Sequence, residues 1–338
     1  AQDTHYPWDG AVKMTITPDQ AGPFRMKVRI PGWARNQPVP SDLYRYAGAS
    51  SPLVTLKVNG RLVPIVLDKG YAIIDRVWRP GSTIELNLPM PVRRVVANDQ
   101  VAADRGRVAL ERGPILFALE APDNPDGKVR NVLVARDSKL TAEFKPALLK
   151  GVEVIQGQAT ALSYDAQGNV LKNQQAFMAI PYYAWANRGR GQMIVWIPET
   201  EAVARPAPFL TPRITASPSR RSPLTVNDGD ESTTFDWWPK KGSTEWVEYA
   251  FDKPATVSTA EVFWFDDTGR GEVRVPASWR ILYRDGDIWK PVENASSYGV
   301  EKDKYNRVMF TPVAASALRL EVTMQPNWSA GIAEWRIK

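Results

Sequence analysis

The sequence predicts an all-β protein: consecutive antiparallel β-sandwiches followed by a C-terminal jelly roll. Three observations carry that expectation. Short runs alternate apolar and polar residues at period two, the pattern of strands with one buried face. Proline (28) and glycine (22) are plentiful along 338 residues, which disfavours a mostly helical chain, because proline removes a helical hydrogen bond and glycine costs backbone entropy. A short helix is expected only over 138–154, "SKLTAEFKPALLKGVEV".

The first sandwich is expected over 1–92. In "FRMKVRI", Phe24, Met26, Val28 and Ile30 share one face and Arg25, Lys27 and Arg29 the other. "PGW" then breaks the strand. Asn59-Gly60, inside "LVTLKVNGRLVPIVL", is a hairpin turn signal. "STIELNLPM" turns Ile84, Leu86 and Leu88 inward before two prolines end it. Over 93–205 the runs are less alternating ("RVALERGPILFALE", "FMAIPYYAWA", "GQMIVWIP"). More deeply buried strands are expected there, as a second sandwich or a layer packed on the first. A proline-rich connector follows at 206–223. The third unit, 213–338, overlaps its end. It carries strands such as "TVSTAEVFWF" and "SWRILYR", and Leu318, Leu320, Val322 and Met324 alternate with polar residues.

Composition excludes several kinds of chemistry. There is no cysteine, and His5 is the one histidine. Disulfides, thiolate nucleophiles, Cys-ligated metals and a Ser-His-Asp triad are thereby ruled out. Net charge is +6 with both signs dispersed, so no nucleic-acid partner is expected. No apolar stretch reaches the ~18 residues that suggest a membrane span. The start, "AQDTHYPWDG", has no basic or apolar leader segment. Either a leader has been removed or the chain begins within a longer protein.

"NDGDESTT", "TVSTAEVFWF", "PASWRILYRDGDIWKPV", "RVMFTPVAASALRLEV" and "SAGIAEWRI" occur in that order over 213–338. This ordered set resembles the discoidin-like, galactose-binding-like jelly rolls that serve as carbohydrate-binding modules. Upstream, "YPWDGAVKMTI", "FRMKVRIPGWA", "VTLKVNG", "GYAIIDRVWRPGSTIELNLPMPVRRV" and "GRVALERGPILFALE" are similar to the part of bacterial β-L-arabinofuranosidases of glycoside hydrolase family 127 that follows the catalytic barrel. The likeness covers 6–120 well and 121–205 loosely. It implies β-sandwiches attached to an (α/α)6 barrel that carries a cysteine nucleophile, zinc-bound cysteines and an acid. With no cysteine and no helical barrel here, none of those catalytic positions transfers. What remains implied is a non-catalytic region whose partners are a glycan, plant-type or other, and a catalytic barrel in cis or trans. An exported, periplasmic or extracellular location goes with that reading.

Candidate sites follow from residue chemistry and from these resemblances. Related jelly rolls hold a structural calcium with a D-G-D-x-x-T turn and an acid near the C-terminus. Asp228, Asp230, Thr233 and Glu334 match that set, and a plain Asx turn with Gly229 at positive φ fits the turn equally well. Trp237 and Trp238 would point to opposite faces of a strand, so at most one can be core. An exposed tryptophan offers a flat apolar face to a sugar. "FDDTGRG" sets Asp266, Asp267 and Arg270 beside Trp264, and "PNWSAG" adds Trp328; planar carboxylate and guanidinium groups suit sugar hydroxyls. Trp33, Trp78, Glu111 and Arg112 are candidates for an interface with a barrel. The favoured function is an accessory region that braces a barrel and binds glycan. A protein- or membrane-interaction module is the rival, and a glycosidase using a carboxylate pair is a third reading.

Overall fold

The computed structural model describes every residue except 49–51, 166–168, 190 and 208–211. Part of the expected connector, 208–211, thus lies outside the described residues. The chain forms two compact units. One comprises Ala1–Ala161 with Asn173–Ala204, and the other Leu162–Lys172 with Arg205–Lys338. Both segments that the sequence separates at 92/93 contribute to the first unit, except that Leu162–Lys172 and Arg205 fall in the second. Strands dominate, and the described helices are short 3-10 turns. Among the described residues no helix is long and apolar enough to cross a membrane.

The first unit begins as a sandwich. A five-stranded sheet (Gln2–Thr4, Ala11–Ile16, Ser82–Asn87, Thr55–Val58, Arg61–Leu62) faces a three-stranded one (Gly22–Arg29, Tyr71–Trp78, Leu67–Asp68). Val28, Ile30, Ile74 and Trp78 from one layer meet Leu56, Val58, Ile84, Leu86 and Leu88 from the other. The Asn59-Gly60 turn has both residues at positive φ, 50° and 75°, so Val58 pairs with Arg61 and Lys57 with Leu62. This is the turn whose twist suits a two-residue hairpin. The rest of the unit is built on a ten-stranded sheet whose central strands are Ile115–Glu120, Arg107–Arg112 and Val92–Ala97. Tyr44–Ala47 joins it beside Val92–Ala97, pairing Tyr46 with Val95.

The helix expected over 138–154 does not form. Leu140–Lys145 is a strand paired with Val152–Gly157. Leu149, Lys150 and Gly151 have positive φ and turn the chain back after Pro146. Residues 140–145 are better placed as an antiparallel neighbour of a buried strand than as one isolated helical turn, which is costly to nucleate.

The second unit is a sandwich with two long strands, Thr244–Phe265 and Tyr305–Thr323, running side by side. Their register breaks between Ala250 and Ala255 and again between Val257 and Thr259, and such irregularities let one strand serve two layers. Before the breaks, Thr244–Ala250 lies between Arg213–Ala216 and the end of the partner strand. After them, Ala260–Phe265 pairs with Ser329–Ile337. The core between holds Trp237, Trp264, Trp279, Trp335 and Tyr249. Trp264 meets Trp279 edge to face with centroids 5.6 Å apart, a favourable aromatic geometry. Leu318, Leu320, Val322 and Met324 all point into this core.

Candidate functional site

At one end of the second unit, the segments Trp237–Gly242, Asp266–Arg274 and Gln325–Ser329 converge. Gly242 N donates to Gln325 O at 3.2 Å and Ser329 N to Glu272 O at 3.0 Å. Val273 and Arg274 pair in parallel with Ser329 and Ala330. Phe235 and Trp237 face the core, so the next residue, Trp238, faces out and is 41% exposed. Its indole N–H donates to Glu272 Oε2 at 3.0 Å, and Lys241 Nζ donates to Glu272 Oε1 at 2.7 Å. These two donors hold the Glu272 carboxyl below its ordinary pKa, Lys241 contributing most. The Arg220 guanidinium lies 5.1 Å from the Trp238 ring centroid. Half-buried Trp328 carries the Arg274 guanidinium 4.0 Å from its centroid. Asp267 and the Gly271 carbonyl fix that guanidinium at 3.1 and 3.0 Å.

The structure thus brings together Trp238, Asp267 and Trp328 from the predicted sugar set and adds Glu272, Arg274, Arg220 and Lys241. It corrects the other members. Trp237 is fully buried, with its N–H on Ser217 Oγ at 2.9 Å, and Trp264 is 1% exposed; a ring inside the core has no face for a sugar. Asp266 closes its own turn, accepting from Thr268 N at 2.9 Å and Val275 N at 3.3 Å. Arg274, not Arg270, supplies the guanidinium that pairs with Asp267. Two arginines four residues apart in a glycine-rich loop are equivalent in sequence. Only the parallel pairing of Arg274 with Ala330 decides which one turns toward Trp328.

The predicted metal residues lie around the start of the same unit. Asp228 Oδ2 accepts from Thr233 Oγ1 at 2.9 Å, and Glu334 Oε2 accepts from Gly229 N at 3.2 Å. Glu334 is wholly buried, and its Oε1 is without a hydrogen-bond partner. Burial raises its pKa to about 8; Arg336 opposes the shift and the Asp228 charge adds to it. Asp230 departs from the expectation: its carboxylate takes Arg205 Nη1 at 2.5 Å and the Ser232 N–H at 3.0 Å. Its side chain therefore closes the turn, and its backbone carbonyl faces Thr233 Oγ1 at 2.9 Å. Among the described residues no group of three or more acid, histidine or cysteine side chains is arranged to hold a metal ion. Two carboxylates, a hydroxyl and backbone oxygens are present, and Glu334 Oε1, which accepts no hydrogen bond and has Arg336 Nε 3.8 Å away, is the one observation that favours a cation.

The four interface candidates separate in the same way. Trp78 is core, with its N–H on Phe24 O at 2.9 Å. Arg112 points inward to Trp8 O at 2.7 Å and Glu153 at 3.5 Å. Neither has a side chain to spare for a partner. Half-buried Trp33 packs on Tyr46, Val95 and Ala109. Glu111 accepts from the Tyr46 hydroxyl, whose ring lies 3.6 Å from the Arg93 guanidinium.

Comparison with known proteins accounts for the first unit. Residues 1–90 match the β-L-arabinofuranosidase GH127 middle domain, and residues 92–198 match the glycoside hydrolase family 127 C-terminal domain. A non-reducing end β-L-arabinofuranosidase of Bifidobacterium longum is 32% identical over 212 residues, which is 58% of this chain and 29% of that protein. A solved family 127 β-arabinofuranosidase is 42% identical with a TM-score of 0.59, over 61% of this chain and 32% of that one. The Geobacillus stearothermophilus T6 β-L-arabinofuranosidase is also 42% identical, with a TM-score of 0.51, over 59% and 30% of the two chains. The chain thus spans about three-tenths of the length of these relatives. It belongs to glycoside hydrolase family 127, of which it carries the middle and C-terminal domains.

Proposed function

We propose that this chain is a non-catalytic accessory region of an exported β-L-arabinofuranosidase-type enzyme, bracing a catalytic barrel through the first unit and binding glycan through the second. One observation carries the binding role: at the loop end of the second unit, exposed Trp238 and half-buried Trp328 flank Glu272 and Arg274. Aromatic faces suit the C–H face of a sugar ring, and planar carboxylate and guanidinium groups suit its hydroxyls. Calorimetric titration of the full chain with an arabinofuranosyl oligosaccharide tests it. Binding that weakens about tenfold in Trp238→Ala is expected, and no heat from the unaltered chain would overturn the reading. Absence of arabinose release in the same samples is expected of a region without the barrel.

A structural calcium belongs to the same proposal. Asp228, Thr233 and Glu334 would hold it with backbone oxygens, the donor mixture that calcium takes. The bound ion would supply positive charge between the Asp228 and Glu334 carboxylates. Those residues tie the start of the unit to its last strand. Calcium is expected to raise the melting temperature of the unaltered chain and to leave Glu334→Gln unmoved; equal melting curves with calcium and with chelator would rule it out.

A further inference from the structure

We propose that the loop end of the second unit takes an acidic saccharide, one bearing a planar carboxylate as uronates do, and that Arg220 is the residue that selects it. The inference deepens the glycan-binding role proposed above and rests on it.

Charge pairing at that end carries the inference. The carboxylates there are matched by cations. Glu272 Oε1 takes Lys241 Nζ at 2.7 Å, Asp267 Oδ1 takes Arg274 Nη1 at 3.1 Å, and Asp266 Oδ1 has Lys302 Nζ at 3.3 Å. Buried Asp236 takes Arg221 Nε at 2.7 Å. Arg220 is left over. Its side chain is exposed and its guanidinium lies 5.1 Å from the Trp238 ring centroid, yet among the described residues no carboxylate pairs with it. The two neighbouring arginines therefore differ: Arg221 is spent on an acid of the fold, whereas Arg220 is held by an aromatic face alone. A guanidinium is weakly hydrated and stacks readily on such a face, which keeps the charge beside the ring without neutralising it.

That leftover charge sets the ligand. Trp238 stays 41% exposed with the guanidinium in place, so ring and cation are open to one ligand together. A sugar seated on Trp238 takes water from the Arg220 guanidinium, and removing water from a charge costs free energy unless a partner replaces it. A neutral sugar offers only hydroxyl oxygens. A uronate offers a carboxylate whose two oxygens fit the guanidinium fork, with shorter and stronger hydrogen bonds. Glu272, which accepts from the same indole N–H, has its own charge offset by Lys241, so the carboxylate already present does not reserve the site for neutral ligands.

Calorimetric titration of the full chain with a short oligogalacturonide and with its methyl ester tests this, because the two differ in charge at the carboxyl group. The acid is expected to bind about tenfold more tightly, with the gap shrinking as salt rises. Arg220→Met is expected to close the gap between acid and ester with the melting curve unmoved. Equal affinity of acid and ester for the unaltered chain would overturn the inference and leave the glycan-binding role standing. Heat from neither of them, nor from the arabinofuranosyl oligosaccharide, would overturn both. A sulfated oligosaccharide of equal length that bound more tightly than the acid would overturn the carboxylate assignment, and oligoglutamate binding as tightly as the acid would overturn the choice of a saccharide. An acid preference that survived in folded Arg220→Met would overturn the role of Arg220.

Discussion

Each unit contains a tyrosine, a glutamate and an arginine in contact, and the two trios behave in opposite ways. In the first, the Tyr46 hydroxyl donates to Glu111 while the Arg93 guanidinium lies over the Tyr46 ring. In the second, the Tyr305 hydroxyl donates to Glu231 while the Arg336 guanidinium lies over the Tyr305 ring at 4.2 Å. Burial is the first cause at both carboxyls. It raises Glu111 to about 7, more than Tyr46 and Arg93 lower it. At Glu231 the Tyr305 hydroxyl, a backbone N–H and the charges of Arg336 and Arg205 outweigh it, and the net shift is downward. Arg336 Nη2 reaches Glu231 directly at 2.8 Å, whereas Arg93 Nη2 is taken by Asn36 Oδ1 at 2.5 Å.

The largest expected effect comes from breaking the direct bond. Arg336→Met should destabilise the second unit by about 2–3 kcal/mol, because it removes a charge-assisted hydrogen bond to Glu231 and the cation over the Tyr305 ring; urea denaturation followed by tryptophan fluorescence measures it. Next is a pH effect in the first unit. Glu111 binds its proton more tightly folded than unfolded, so its contribution to stability falls as pH rises from about 4.5 through about 7. Glu111→Gln should remove that slope, amounting to about 2 kcal/mol after allowance for partial exposure, and melting curves across the interval would show equal slopes if the comparison is wrong. The smallest effect is expected of Tyr46→Phe, about 1 kcal/mol at pH 8 and less at pH 5, where the protonated Glu111 needs the hydroxyl less.

Much of the fold was legible in the sequence because period-two burial is a local property. Ile84, Leu86 and Leu88 are buried as their alternation requires, and Asn59-Gly60 turns where that dipeptide should. The site was legible only in part. The alternation rule let Trp237 or Trp238, but not both, enter the core, and the pairing of Phe235 with Ile332 decided it. Trp78 and Trp264 were misjudged because a tryptophan near a turn reads the same whether it covers a core or faces solvent. Asp230 was misread because Arg205, its partner, lies across the connector and outside any local motif.

The two long strands of the second unit have a consequence for how it comes apart. Thr244–Phe265 and Tyr305–Thr323 pair along both halves of one continuous eight-stranded sheet, so neither half can peel away while the other keeps its ladder intact. Amide protons in the two halves should therefore exchange together, through one opening event with a single free energy. The Asp228–Thr233 turn and the loop end inherit that single event, and both would be lost at the same denaturant concentration.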